Sequence, residues 1–156
     1  MCGIFGYVGK EPLQLADALR VLRLLESDQL PSESSPVGGD GAGIAFLQNT
    51  NECFVEKVGA ASSSPADSLT RLLQTREDAP SVIIGHVRRA TSQFRETIRH
   101  RECSQPYRVG CQSDFTIVSA HNGYVENYLE IRKKLKLNHL LESEGLSLID
   151  SEVIPH

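Results

Sequence analysis

The chain has 156 residues, 40% of them hydrophobic and 23% charged, which is ordinary for a single globular domain. Its formal net charge is −4 and it contains no basic run, which argues against nucleic-acid binding. No apolar segment approaches the roughly 18 residues that span a bilayer, and no secretory leader is recognisable, so the sequence predicts neither membrane association nor secretion.

Hydrophobic periodicity and turn residues divide the chain into strands and helices. Leucines at helical spacing predict the first helix, with Pro12 in its first turn, and Ser64-Pro65 has the chemistry of a second helix start. In chain order, the predicted elements are a strand over 3–9, a helix over 13–25, strands over 41–48 and 52–60, a helix over 64–76, a strand over 81–88, an irregular stretch over 92–113, a strand over 115–123, a helix over 126–137 and the start of a strand over 146–150. This mixture favours a layered α+β domain.

The cysteines and histidines do not form a metal-binding or disulfide pattern. Four cysteines at irregular spacing are too few for a disulfide framework, and none are in CxxC spacing. The five histidines show no metal-ligand spacing either. We therefore expect a reduced, cytoplasmic protein without a metal ion or cofactor.

Cys2 directly follows the initiator methionine, in the stretch MCGIFG. One interpretation is a small hydrophobic residue packed against the core, where most free cysteines lie. The other is a nucleophile that acts once Met1 is removed, because Cys2 would then carry a free α-amine with an unperturbed pKa of about 7.7–8.0. Such an amine could take the thiol proton without a histidine partner.

Three further motifs also allow two interpretations. In GHVRRATS (85–92), Arg88 and Arg89 could both be solvated, or either guanidinium could bind a substrate carboxylate through two hydrogen bonds. In AHNGYVEN (120–127), Asn-Gly is typical of a hairpin turn, but the Asn122 side chain and the Gly123 N–H could instead donate to an oxyanion. GGDGAGIA (38–45) lacks the spacing of a nucleotide-binding loop and predicts a tight turn.

Five blocks, taken together and in chain order, resemble the class II glutamine amidotransferases, a family of N-terminal-nucleophile hydrolases. The blocks are MCGIFG (1–6), GDGAGIA (39–45), GHVRRAT (85–91), HNG (121–123) with Glu126-Asn127, and DSEVI (150–154). The resemblance covers residues 1–156 and implies a four-layer αββα sandwich. It also implies that the family domain continues past residue 156, so that this chain is its N-terminal portion, incomplete at the C-terminal end.

The resemblance implies a thioester mechanism on glutamine. Cys2, exposed by loss of Met1, would be the nucleophile and its own amine the base, while Asn122 and Gly123 would form the oxyanion hole. The thiolate would attack the side-chain amide, ammonia would depart, and water would cleave the thioester to glutamate.

The same resemblance assigns the substrate-binding residues. Arg88 would bind the α-carboxylate of glutamine, helped by Thr91, and Asp150 would bind its α-ammonium group. Arg89 stands where many family members have tryptophan. Two opposite charges in one site would select free glutamine over glutamine within a peptide.

The resemblance also implies a partner. Because the sequence contains no acceptor domain, ammonia would pass to a separate synthase subunit or domain, and a glutamate-synthase-like subunit is the favoured identity. Unpaired edges of an incomplete sheet would also favour an oligomer. The alternatives are a catalytically silent glutamine-binding or regulatory module of the same fold, and an amidase acting on another amide.

Overall fold

The computed structural model describes residues 1–48, 50–110, 115–146 and 149–156, which form strands and helices in mixed order. The strands are β1 (Gly3–Val8), β2 (Gly41–Leu47), β3 (Cys53–Gly59), β4 (Val82–Arg88), β5 (Tyr107–Val109) and β6 (Ile117–Ser119). The helices are α1 (Leu15–Ser27), α2 (Pro65–Leu73) and α3 (Tyr128–Leu135), and 3₁₀ turns occupy Ser92–Thr97, Arg101–Cys103 and Asp150–Val153. Over these ranges, no helix has both the length and the hydropathy needed to cross a membrane.

Four strands form one antiparallel sheet in the order β1-β4-β2-β3. Val87 near the end of β4 pairs with Gly3 on one side and Ala42 on the other. The start of β1, the end of β4 and the start of β2 therefore meet at one end of the sheet. This register places Cys2 beside the residues that follow β4.

Helices α1 and α2 pack on one face of this sheet. Alternate side chains of β2 and β4, including Ile44, Phe46 and Val87, join the helices in the main hydrophobic core. The two helices are also linked by Glu26 near the end of α1, whose buried carboxylate accepts hydrogen bonds from the Ala66 N–H (3.1 Å) and the Ser64 hydroxyl. A side chain of α1 thus provides a hydrogen-bond acceptor for a backbone N–H in the first turn of α2, which has no partner within its own helix.

Glycines on the opposite face of the sheet let the segment 98–105 lie directly on the strands. A Cβ on Gly43 would overlap the carbonyl oxygen of Gln105, and one on Gly59 would lie 2.6 Å from the carbonyl oxygen of Arg99. The glycine-rich stretch 38–45 is therefore a turn only at its start, where Gly39 has φ +112°. From Gly41 onward it is strand, not the tight turn that the sequence predicts.

The rest of this second face is only partly covered. Ile4, Val8 and Val82 on β1 and β4 are exposed, and Phe115 near β6 lines a cleft of about 710 Å³ above the same face. The described residues thus form an α+β domain with antiparallel sheets, as predicted. The finer prediction of a four-layer αββα sandwich stays a prediction.

Most predicted elements are present, with their ends shifted by one to three residues. Helix α1 starts at Leu15 and Pro12 precedes it, because the N–H groups of Leu13 and Leu15 donate to the carbonyls of Pro80 and Asp78 before the helix begins. Helix α2 starts as predicted, since the Ser64 hydroxyl accepts from the Asp67 N–H at 3.1 Å.

Three predicted segments need correction. The irregular stretch over 92–113 contains strand β5, and the strand predicted over 115–123 is reduced to the three residues of β6, to which β5 pairs. The strand predicted to start over 146–150 is not formed at 149–150, where a 3₁₀ turn begins at Asp150. Residues 49, 111–114 and 147–148 lie outside the described residues.

Candidate active site

Cys2 lies half-buried against the backbone that follows β4. The Arg89 N–H donates to the Cys2 Sγ at 3.2 Å, and the Sγ lies 3.4 Å from the Arg89 carbonyl oxygen. Burial raises the pKa of the Cys2 thiol, although the Arg89 N–H, the N-terminal ammonium group and Arg88 oppose this effect. With Met1 in place, the thiol is therefore a poor nucleophile at neutral pH. Met1 itself is 53% exposed.

The thiol opens into a narrow cleft of about 50 Å³. Of the six residues singled out from the sequence, five line this cleft, namely Cys2, Arg88, Thr91, Gly123 and Asp150. The cleft is far smaller than the roughly 300 Å³ of an ordinary small-ligand pocket. The exposed Thr91 and Tyr124 form part of the cleft wall.

The sixth residue, Asn122, lies beside the cleft but does not line it. Its side-chain Nδ2 donates to the Cys2 carbonyl oxygen at 2.9 Å. The hairpin expected from Asn-Gly is absent from the described residues, where 120–127 is a loop leading into α3. This contact brings the HNG motif and the N-terminal cysteine together across the fold.

The two adjacent arginines point to different places. Arg88 is 5% exposed, and its guanidinium donates to the Thr97 carbonyl (3.3 Å) and hydroxyl (2.5 Å). The Arg89 guanidinium instead donates to the Pro36 carbonyl oxygen at 2.8 and 3.2 Å, in a separate and larger cleft that Gly39 also lines. The buried cation beside Cys2 is thus the guanidinium of Arg88.

Asp40 fixes the backbone that contacts the thiol. Its buried carboxylate accepts from the Ala90 N–H at 2.9 Å and from Arg95 at 3.1–3.2 Å. Asp40 lies in the recognised block 39–45 but had no predicted role, because the stretch 38–45 was interpreted as a tight turn.

The loop 121–125 is held from the opposite side by Asp150 and Ser151. The Asp150 carboxylate accepts from the Val125 N–H at 2.9 Å, and the Ser151 hydroxyl lies 3.1 Å from the His121 Nδ1. Asp150 is buried and lines the same cleft as Cys2. Ser151 was part of a recognised block but had no predicted role.

His86 lies behind the cleft, fully buried on β4. Burial, reinforced by the positive charge of Arg88, lowers the pKa of His86 to about 3. Its imidazole is therefore neutral at physiological pH. Because the ring is neutral, His86 adds no second positive charge next to the buried guanidinium of Arg88.

Gln105 is a further cleft residue that sequence reasoning missed. Its side-chain amide bonds to the backbone of His121, which no short motif signals. Within the described ranges, no group of three or more His, Cys, Asp or Glu side chains is arranged to hold a metal ion. The absence of a metal ion or cofactor stays a prediction.

Comparison with known proteins gives a consistent set of relatives, although no family model matches the chain. The chain is 34% identical over 158 residues to the glutamine–fructose-6-phosphate aminotransferase (isomerizing) of Thermotoga maritima, with 100% of this chain and 22% of the relative aligned. It is 32% identical over 160 residues to the protein of that name from Aquifex aeolicus, with the same shares aligned. The protein of that name from Pyrococcus horikoshii is 30% identical over 161 residues, again with 100% and 22% aligned.

These relatives correct one expectation and establish the family. They are named for amination of fructose 6-phosphate, so the glutamate-synthase-like affiliation favoured from the sequence is wrong. The chain spans only 22% of the length of these curated relatives, but all of it is aligned. The chain belongs to the class II glutamine amidotransferases, the amide hydrolases whose nucleophile is an N-terminal cysteine.

Proposed function

We propose that this chain, once Met1 is removed, hydrolyses glutamine to glutamate and ammonia through a thioester on Cys2. The observation that carries the proposal is the single cleft that contains the Cys2 thiol, one buried cation and one buried carboxylate. Family membership supports the same chemistry.

The α-amine of Cys2 acts as the base in this proposal. Burial raises the pKa of the thiol while Met1 is attached, so the thiolate needs a base close by. Neither His121 nor His86 takes this role in the proposal, because the His121 ring is hydrogen-bonded to Ser151 and His86 does not line the cleft. Loss of Met1 supplies an amine that receives the thiol proton and returns it to the departing ammonia.

Arg88 and Asp150 bind the two charged ends of glutamine. Both are buried at the cleft, and they carry opposite charges that match the α-carboxylate and the α-ammonium group. The Arg88 guanidinium already donates to Thr97, which fixes its plane for a paired hydrogen bond with a carboxylate. Thr91, at the rim of the cleft, adds a hydroxyl to the carboxylate end.

Asn122 and Gly123 stabilise the oxyanion that forms when the thiolate attacks. Gly123 lies in the cleft wall, and the Asn122 amide already contacts the carbonyl of the nucleophilic residue. Each such donor typically contributes a factor of about 10²–10³ in rate. Water then cleaves the thioester, which releases glutamate and restores the thiol.

The proposal extends to the domain and its partner. We propose that residues 1–156 form a cytoplasmic amidotransferase unit in which a second β layer covers the exposed face of the sheet and completes an αββα sandwich. The relatives' name supports an acceptor that takes ammonia for amination of fructose 6-phosphate, in the same polypeptide or in a partner subunit.

Intact mass and ammonia release test the proposal together. In protein without Met1, a glutamine-like diazo ketone should add once, at Cys2, and glutamine should be hydrolysed. Cys2→Ala should lose at least about 10⁴-fold in ammonia release, since the nucleophile is gone. Cys53→Ala, at the half-buried cysteine of β3, is the matched control and should retain activity.

Two outcomes would contradict the proposal. Glutamine binding without ammonia release would favour the catalytically silent glutamine-binding module. Ammonia release from protein that still carries Met1 would exclude the α-amine as the base.

A further inference from the structure

The side chain of Gln105 pairs with both backbone polar groups of His121. Its Nε2 donates to the His121 carbonyl oxygen at 3.1 Å, and its Oε1 accepts from the His121 N–H at 2.6 Å. Gln105 is buried at the cleft. One uncharged side-chain amide thus pairs with both the N–H and the carbonyl of His121, the residue directly before Asn122 and Gly123.

The position of Gln105 follows from the register of β5 and β6. Tyr107 pairs with Ser119 at the end of this ladder, and continuing the register by two residues would place Gln105 opposite His121. The ladder stops before this point, and the Gln105 side chain takes the place of the missing backbone partner. The Gln105 backbone meanwhile lies on Gly43 of β2, so it is fixed to the main sheet.

Two further contacts join the HNG motif to the main sheet side of the cleft, namely the Asn122 contact to Cys2 and an interaction of the His86 ring on β4 with the His121 backbone. Gln105 is the residue that pairs with both the N–H and the carbonyl of His121. Ser151 and Asp150 hold the loop from the opposite side. Without Gln105, the His121 N–H and carbonyl would lose these bonds in a partly buried setting, which the loop could relieve by moving outward. Such a movement would displace Gly123, which lines the cleft together with Cys2.

We propose that Gln105 is a positioning residue that holds the His121 peptide so that the Gly123 N–H faces the space beside Cys2. The inference rests on the proposed amide hydrolysis, for which it explains how the oxyanion donors are held. Gln105 acts through the loop and transfers no proton. Its amide is suited to this because it donates and accepts at once, whereas a carboxylate only accepts.

Steady-state kinetics on the processed protein give the first test. Gln105→Met keeps the approximate length of the side chain and removes both hydrogen bonds. It should lower kcat for glutamine about 100-fold, the loss typical of a displaced oxyanion donor, and change KM less than about threefold. Gln74→Met, at the exposed C-terminal end of α2, is the matched control and should leave both constants unchanged.

Amide hydrogen exchange gives a second test that does not depend on activity. The His121 N–H should exchange at least about tenfold faster in Gln105→Met than in the parent protein, because it loses its acceptor. Gln105→Glu keeps an acceptor for the N–H and loses the donor to the carbonyl. It should therefore retain protection of the His121 N–H while kcat still falls.

The outcomes separate this inference from the proposed function. Unchanged exchange of the His121 N–H in Gln105→Met overturns the inference, whatever the kinetics show. A raised KM with unchanged kcat also overturns it, because Gln105 would then be a direct substrate contact. A parent protein that releases no ammonia refutes the proposed function, and the exchange measurement alone then decides the role of Gln105.

Discussion

At the scale of single residues, burial decides the protonation states around the cleft. His86 and the Cys2 thiol are both pushed toward their neutral forms, because removal from water disfavours charge. The Arg88 guanidinium donates two hydrogen bonds to Thr97. Burial thus holds two groups next to the proposed glutamine-binding residues, the Cys2 thiol and the His86 ring, in their neutral forms.

His86 should make the stability of the fold depend on pH. Its pKa is about 3 when folded and about 6.5 when unfolded, so the unfolded chain binds the proton first as pH falls. The stability that the fold gains by keeping the His86 ring neutral is complete above about pH 6.5 and is lost progressively toward pH 3. Between pH 6.5 and 4.5 it should amount to about 2 kcal/mol of unfolding free energy.

Denaturant unfolding of the parent protein and of His86→Gln at several pH values measures this dependence. The variant should lose less stability than the parent over the same pH range. The NMR signal of the His86 ring should not titrate between pH 8 and 4.5. A midpoint near 6.5 would show that the ring is not shielded from water.

At the scale of elements, the glycines of β2 and β3 set how closely the segment 98–105 approaches the sheet. That approach fixes the depth at which Gln105 and Ser104 lie, and hence one wall of the cleft. A strand with larger side chains at these positions would raise the segment away from the sheet. The spacing of the glycines is thus part of the site.

Gly43→Ala tests this role of the sheet surface. The added methyl would overlap the Gln105 carbonyl, so we expect a loss of about 1–3 kcal/mol in stability and a lower kcat. Gly6→Ala, on the same face of β1, is the control because its Cβ would meet only the Ile83 carbonyl oxygen at 3.8 Å. Equal effects in the two variants, measured by thermal unfolding and ammonia release, would contradict this role.

The elements differ in how far the sequence could predict them. The strands and helices of the main layer carry clear apolar periodicity, so their order was predicted correctly and only their ends shifted. Strand β5 was missed because three residues show no period, and its pairing to β6 comes from contacts distant in sequence.

The candidate site was predictable to the same uneven degree. Cys2, Arg88 and Asp150 carry reactive or charged groups in recognisable blocks, so a resemblance could identify them. Gln105 has an ordinary side chain whose role depends on a register between two short strands. Its proposed role is to hold the loop at His121 in position, and no local sequence pattern indicates such a role.

At the scale of the whole molecule, the sheet has two unlike faces. The face toward α1 and α2 is a closed core, whereas the opposite face is covered by the segment 98–105 at one end and exposes apolar side chains at the other. Exposed apolar patches of this kind commonly mark contact surfaces. The asymmetry accords with the proposal that a second β layer belongs on this face.

Adjacent residues of β4 test the two faces. Ile83 is 2% exposed toward the helices and Val82 is 39% exposed on the other face. Ile83→Lys should cost at least about 4 kcal/mol, because it buries a charge in the core, whereas Val82→Lys should change stability by no more than about 0.5 kcal/mol. Val82→Lys should also reduce binding of an apolar fluorescent dye. Comparable destabilisation by both variants would show that the second face is already closed.

The contacts around Cys2 have a consequence for maturation. The Cys2 Sγ contacts the Arg89 backbone, and the Cys2 carbonyl accepts from the Asn122 side-chain amide. Neither contact involves Met1 or the Cys2 nitrogen. We therefore expect that an aminopeptidase can remove the exposed Met1 without displacing Cys2. The contacts that position Cys2 would therefore form on folding, before Met1 is removed. Removal of Met1 would then free the α-amine that the proposed mechanism needs.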